Sequence, residues 1–469
     1  MLLDRTGTKS ESRGQSNAIS LSISEAHSLA LQLHRSGSLT EAEMLYRRIL
    51  DAAPDSLDAL HFLALLCHQA GRNSEAQGLI EKIISLDPRN ADAHNNLGNV
   101  LESLGRLPEA EDYYRKAISL RPDHAPAHNN LGVMLMAQKK ATEAVEMYRR
   151  AVALVPKAAD FRYNLGNALR RSGEIDEAIA VYREAIGVNP NHEGVWRGLA
   201  RSFLLQGRRQ EAAEAFEEWL RLDPGNELAR YMRAALLGEG ASPRRAPDAY
   251  ICRTFDAMAH VFDHHLVENL EYRAPNLLGE ALSAALPPPD ASYEILDAGC
   301  GTGLCAPFLK PHARRLSGVD LSGGMLSVAE TRKAYDDLVT AELTEFLDSR
   351  AEAYDIIASA DTLCYFGPLE PVFRAAAKAL KPHGILAFTV EDAGEEAPRW
   401  RLDPTARYSH TRSYVEGALF DAGFVIHSLS SVVLRIEDGQ PVTGHVVVAR
   451  KTNGGPLEPE RGMSGSGAA

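Results

Sequence analysis

The residues whose types and spacing could do chemistry lie in the second half of this 469-residue chain. Asp297-Ala298-Gly299-Cys300-Gly301-Thr302-Gly303 follows directly on an apolar run, YEIL. Alternating glycines at the end of a strand let the backbone approach a ligand closely and take dihedral angles that other residues resist. Asp320 ends the next apolar run, 21 residues after Gly299, where a carboxylate can accept both hydroxyls of a ribose. Dehydrogenases that bind pyrophosphate use a related glycine turn, so the turn alone does not fix the ligand. Asp361 ends a fourth run, and YSHTRSYV gathers Tyr408, His410, Arg412 and Tyr414. If the chemistry needs a general base, Asp361 and His410 are the candidates. The same YSHTRSYV stretch also reads as a surface turn capping a helix.

Other reactive side chains point elsewhere. Cys300 and Cys305 read as packing residues, because a nucleophilic thiolate needs a base and the sequence names none beside them. His260, His264 and His265 show no acid–histidine spacing of a metal site, and adjacent histidines leave a helix on different sides, so no metal is expected.

These side chains need a frame. YEILDAG, RRLSGVD, LVTAEL, YDIIASAD and GILAFTVE alternate with helical stretches such as Leu369 to Leu380, the pattern of an α/β doubly wound parallel sheet. FVIHSLSSVVLRIE and GHVVVARK, separated by DGQPVT, predict an antiparallel edge hairpin. Ligands of such sheets bind outside the carboxyl ends of the strands, where the glycine turn, Asp320 and Asp361 fall.

DAGCGTG together with VDLSGGML resembles the class I S-adenosylmethionine-dependent methyltransferases, over residues 248–451. The resemblance implies a Rossmann-like fold with S-adenosylmethionine as cofactor, bound by Asp297, Gly299, Gly301, Gly303, Asp320, Met325 and Glu342. The glycines would meet its methionine part, Asp320 the ribose and Met325 the adenine face. Glu342 stands where these enzymes usually have aspartate near the adenine amino group. Asp361 would border the methyl-transfer pocket. FDAMAHVFDHHLVENLEYRAP, residues 255–275, resembles the opening helix of quinone and small-molecule methyltransferases, with Phe255 and Phe262 expected on one helical face as an aromatic lid.

The first half is periodic. Pro54, Pro88, Pro122, Pro156, Pro190 and Pro224 are spaced by 34 residues, as are Ala42, Ala76, Ala110, Ala144, Ala178 and Ala212. Tyr46, Ile80, Tyr114, Tyr148, Tyr182 and Phe216 form a row of large residues at the same step. Small residues let two helices approach and the large ones fill the space between them. The pattern resembles the tetratricopeptide repeat: an all-α solenoid of six copies with turn glycines at Gly37, Gly71, Gly105, Gly173 and Gly207, Lys139 replacing the glycine of the fourth copy. ELARYMRAALLG at 227–238 reads as the polar cap that a solenoid end requires. Asn96, Asn130 and Asn164 hold one position in three successive repeats, and resemble the ladder by which some such arrays hold an extended peptide in their groove. Asparagine is also frequent at that position.

The expected organisation is therefore a disordered 1–22, six repeats plus cap over 23–238, a linker at 239–247, a methyltransferase domain at 248–451 and a disordered 452–469. As a whole the chain resembles bacterial predicted methyltransferases with amino-terminal tetratricopeptide repeats. Net charge is −13; residues 241–469 alone hold 21 basic against 31 acidic residues, which argues against nucleic acid as partner. Five scattered cysteines, a polar start and the lack of a long apolar run predict a reduced cytoplasmic protein with no membrane span. The expected function is methyl transfer from S-adenosylmethionine, with the repeats recognising a protein or peptide. Small-molecule methylation with repeats used only for localisation, a non-catalytic scaffold, and a repeat-bearing glycosyltransferase are the alternatives; the strand turns after residue 290 disfavour the last.

Overall fold

A computed structural model describes residues 21–238, 243–264, 270–437 and 440–452. The readings made of 1–20, 239–242, His265 and 453–469 fall outside the described residues. Two compact units divide the chain, Met1–Arg208 and Arg209–Ala469.

The first unit is a series of helical hairpins: Ile23–Arg35 with Leu39–Ala52, Leu57–Gln69 with Asn73–Leu86, Ala91–Ser103 with Leu107–Leu120, Ala125–Ala137 with Ala141–Leu154, Ala159–Ser172 with Ile175–Val188, and then Glu193–Leu205. The periodic residues explain why they pack. Ala42, Ala76, Ala110, Ala144 and Ala178 have no exposed surface, so a larger side chain there would force the helices apart. Gly98 and Gly166 lie against tyrosine rings, and a Cβ on either would come to 2.5 Å from a ring carbon of Tyr114 or Tyr182. In the second repeat Ala64 replaces this glycine and the facing residue shrinks to Ile80. Turn glycines Gly37, Gly71, Gly105 and Gly173 take φ of +75° to +89°, and Lys139 is driven to +63° at the equivalent place.

The second unit begins with Arg209–Leu222 and Glu227–Leu237. The capping helix Glu227–Leu237 has Tyr231, Ala234 and Ala235 in one apolar cluster with Ala246, Leu402, Ala406 and Tyr408, so it belongs to the α/β unit. Linker residues are also built in: Arg245 makes an antiparallel bridge to Phe366, and Ala246 N–H donates to Tyr365 O at 2.9 Å.

The sheet runs β1 (Tyr293–Ala298), β2 (Ala313–Asp320), β3 (Asp337–Thr340), β4 (Tyr354–Ser359), β5 (Leu380–Asp392), β6 (Trp400–Leu402), β7 (Tyr408–His410), β8 (Phe424–Glu437) and β9 (Gln440–Lys451). Strands β3-β2-β1-β4-β5 are parallel; β9 pairs antiparallel with β5 and β8 with β9. Alternate residues serve the two faces. Leu296, Ile357, Leu386 and Phe388 enter one core, and Ile295, Ile356, Ala358, Ile385 and Ala387 the other. Both faces are covered, which is why the strands read as nearly continuous apolar runs. YSHTRSYV is split: Tyr408–His410 is β7, parallel to the end of β5, and the rest opens the helix Arg412–Asp421, capped by Thr411.

Candidate active site

A cavity, part of it open to solvent, lies at the carboxyl ends of the parallel strands, where ligands of such sheets bind. Gly299, Gly301, Asp320, Met325, Glu342 and Asp361 all line it. Gly299 and Gly301 have φ of +75° and +54°. A Cβ on Gly299 would overlap the Thr362 side chain, whereas one on Gly301 would meet no described atom within 4 Å. Gly301 thus presents bare backbone to the open cavity. Its N–H donates to Asp320 Oδ2 at 2.9 Å, and Ser322 N–H donates to Asp320 Oδ1 at 2.9 Å. Each carboxylate oxygen keeps a lone pair. Burial raises the Asp320 pKa while these backbone hydrogen bonds pull it down.

Two other acids hold the wall. Asp256, on the opening helix Asp248–Met258, accepts from Ser322 Oγ at 2.5 Å and from Gly324 N–H at 2.9 Å. Asp263 accepts from Thr302 Oγ1 and Arg332 Nη2. The opening segment is therefore pinned to the turns after β1 and β2. Sequence reading missed both acids, although they share the seven-residue spacing of Phe255 and Phe262. Those two rings do meet, edge to face at 5.7 Å, but the helix ends at Met258 and a separate turn, Phe262–His264, carries the second ring. Phe255 also lies 5.7 Å from Tyr365.

The far end of the cavity carries charge. Asp361 has φ of +57°, and its N–H donates to Thr389 Oγ1 at 2.8 Å. Its Oδ2 lies 2.8 Å from Arg407 Nη2. Arg407, also in the cavity wall, bonds Glu391 through Nε at 2.5 Å, and the buried Arg435 bonds Glu391 at 2.9 Å. Asp361, Cys364 and Glu391 come close enough to hold a metal ion, yet guanidinium groups already pair with both carboxylates. Sequence reading missed Arg407, since nothing local marks an arginine in a turn as facing a site.

Several expected residues fall differently. Asp297 does not line the cavity; it is buried beneath the glycine turn, where Tyr335 OH donates to it at 2.6 Å. Burial pushes its pKa up to about 7, against the pull of the Tyr335 hydrogen bond. Gly303 also stands outside the lining, its backbone packed against Tyr335 and Arg332. His410 is fully buried, and its Nε2 lies 2.9 Å from both Phe366 O and Gly367 O, away from the cavity. Burial lowers its pKa to about 4, so it carries no base role forward. Glu342 caps the helix Leu343–Asp348 by accepting from Glu345 N–H at 2.9 Å, and it pairs with Arg245 Nη1 at 2.8 Å. Arg245, assigned by sequence to a linker, lines the cavity.

In the repeats the three asparagines bond one another's neighbours. Asn130 Nδ2 donates to Asn95 Oδ1 at 3.0 Å and Asn99 Oδ1 at 2.9 Å, and Asn164 Nδ2 to Asn129 Oδ1 at 2.9 Å. Asn96 Nδ2 lies 3.5 Å from His61 Nδ1. The amides join successive repeats, so a peptide taken up there would compete with these bonds.

The family model described as a methyltransferase domain matches residues 296–388, which hold the glycine turn, Asp320 and Asp361. Tetratricopeptide repeat models match 33–95, 91–124, 123–189 and 163–227. The chain carries tetratricopeptide repeats followed by a methyltransferase domain of the doubly wound fold.

Among curated proteins it is similar to methyltransferase-like protein 27 of Homo sapiens, 41% identical over 105 residues, covering 22% of this chain and 42% of that one. It is 31% identical over 147 residues to the malonyl-[acyl-carrier protein] O-methyltransferase of Priestia megaterium, covering 29% and 47%. A ubiquinone biosynthesis O-methyltransferase of Hydrogenovibrio crunogenus is 32% identical over 102 residues, covering 20% and 41%. The chain spans about half the length of these curated relatives. A solved structure of Pseudomonas aeruginosa pilF covers 44% of this chain and 93% of its own at 23% identity and a TM-score of 0.40. A solved structure of YrrB, a TPR protein with an unusual peptide-binding site, covers 39% of this chain and 95% of its own at 21% identity and a TM-score of 0.34. Among the described residues no helix is long and apolar enough to cross a membrane.

Proposed function

We propose that the carboxyl-terminal unit transfers a methyl group from S-adenosylmethionine to an acceptor held at the Asp361 end of the cavity. The observation that carries this reading is the bare Gly301 backbone, open to the cavity and hydrogen-bonded to the Asp320 carboxylate beside it. These residues fit the cofactor: Gly299 and Gly301 would hold its amino-acid part, Asp320 its ribose hydroxyls, and Met325 and Glu342 the adenine. When bound, S-adenosylmethionine supplies an electrophilic methyl group on a sulfonium that leaves readily.

The chain's own work is alignment and exclusion of water, which can supply much of a rate enhancement. Phe255, Phe262 and Tyr365 wall the cavity. Asp361 would take the proton of an acceptor that is protonated at neutral pH, its carboxylate held by the ion pair with Arg407.

The repeats, in this reading, bring a protein or an extended peptide to the enzyme, with Asn96, Asn130 and Asn164 facing it. The aromatic wall of the cavity favours a second acceptor class, a small metabolite, with the repeats then serving localisation. Two of the relatives are O-methyltransferases, so an oxygen acceptor is the first to try. Labelled S-adenosylmethionine in host-cell lysate separates the classes: label in protein supports the first and label in small molecules the second. No label above that given by the Asp320→Ala protein rejects methyl transfer.

A further inference from the structure

Arg407 reaches the cavity from an irregular turn between β6 and β7, and that turn is held by a residue far from it in the chain. Tyr231, on the helix Glu227–Leu237, donates its hydroxyl to the carbonyl of Ala406 at 2.6 Å. That carbonyl belongs to the peptide unit joining Ala406 to Arg407. Ala406 has φ of +59°, a left-handed conformation that is strained for a non-glycine residue and persists where surroundings over-determine it. Ala406 N–H donates to Asp403 O and Asp403 N–H to Arg407 O, both at 2.8 Å, closing the turn. Tyr231 and Tyr408 are fully buried with ring centroids 6.2 Å apart, and Trp400 lies edge-on to Tyr408 at 5.5 Å.

We propose that Tyr231 is a positioning residue for Arg407: its hydroxyl fixes the Ala406–Arg407 peptide, and through it aims the guanidinium at Asp361 in the cavity wall. The helix that closes the repeat pattern in sequence is then a working part of the methyltransferase unit. The Tyr231 hydroxyl satisfies the Ala406 carbonyl within a buried apolar cluster, so its removal leaves a buried acceptor without that partner and the turn free to relax. Calling this end of the cavity the acceptor's rests on the methyl-transfer reading; the coupling of Tyr231 to Arg407 does not.

The test needs no acceptor. In the full chain labelled with nitrogen-15 arginine, the Arg407 Nε–H signal is assigned by its loss in Arg407→Lys. Tyr231→Phe keeps the ring and removes only the hydroxyl; it should shift the Arg407 signal and raise its solvent exchange severalfold. The Arg332 Nε–H, bonded to Thr302 O elsewhere in the cavity wall, should stay put. Tyr231→Ala should act in the same direction and more strongly, and if it fails to fold the Phe variant decides alone. An Arg407 signal unchanged in Tyr231→Phe, or an equal change at Arg332, overturns the proposal. Neither result bears on whether lysate is methylated, so failure here is distinct from failure of the methyl-transfer reading.

Discussion

Gly301 and Asp320 are tied by a hydrogen bond of 2.9 Å from the glycine N–H to the acid Oδ2. The turn after β1 and the acid after β2 are therefore one feature. Moving either would move the other, and both face the same cavity. Ser322 N–H holds the second oxygen, so the carboxylate is oriented before any ligand arrives, which lowers the ordering cost of binding.

Asp297 predicts a pH dependence of stability. Its folded pKa, about 7, lies above the value of about 3.9 expected in an unfolded chain. Below about pH 4 both states hold the proton; between about 4 and 7 only the folded state does. Stability from this group is thus lost as pH rises through that window, by up to about 4 kcal/mol at roughly 1.4 kcal/mol per unit. Asp297→Asn keeps an acceptor for Tyr335 OH and should flatten the curve. Chemical denaturation of both proteins across the window checks this; parallel curves would reject the ionisation.

Lys139 predicts a gain. It sits at φ of +63° where other repeats have glycine, so Lys139→Gly should relieve about 1 kcal/mol of backbone strain, reduced by the greater entropy of glycine in the unfolded chain. A raised thermal midpoint for the repeat unit is expected, and a lowered one would contradict the strain.

Asn130 separates two roles. Its amide bonds Asn95 and Asn99 of the preceding repeat, and Asn130→Ala should destabilise the repeats by about 1 to 2 kcal/mol, more than the 0.5 to 1.5 of a single exposed bond because two acceptors lose a partner. Denaturation of the single variant measures this. Replacing Asn96, Asn130 and Asn164 together should also reduce capture of protein from lysate with affinity for S-adenosylhomocysteine unchanged; equal capture would leave the amides as inter-repeat ties alone.

What the sequence disclosed follows from how local each signal is. The 34-residue period and the glycine turn are carried by residue types at fixed spacing, and both fold as expected. Lys139 and the Gly166–Tyr182 contact are consequences of the same period. Arg407, Asp256 and Asp263 were invisible because each acts across the fold, on partners in other elements, and Tyr231 reaches Ala406 from 175 residues away. His410 misled for a related reason: strand alternation decides which side chain enters a cavity, and in β7 it turns this ring into the core. The linker at 239–247 was read from Gly, Pro and Ser content, which speaks to exposure and not to contacts such as the backbone partners that Arg245 and Ala246 find at Phe366 and Tyr365.

The central claim is that the Gly301–Asp320 arrangement binds the nucleoside of S-adenosylmethionine. Calorimetric titration of the full chain with S-adenosylhomocysteine tests it most directly, comparing the parent with Asp320→Ala and with Asp320→Asn, which keeps one acceptor oxygen. Two charge-assisted hydrogen bonds of about 1.5 to 3 kcal/mol each are at stake before compensation, so Asp320→Ala should bind at least about tenfold more weakly, with Asp320→Asn between it and the parent. Equal affinity in all three proteins, or no binding by the parent, would contradict the account.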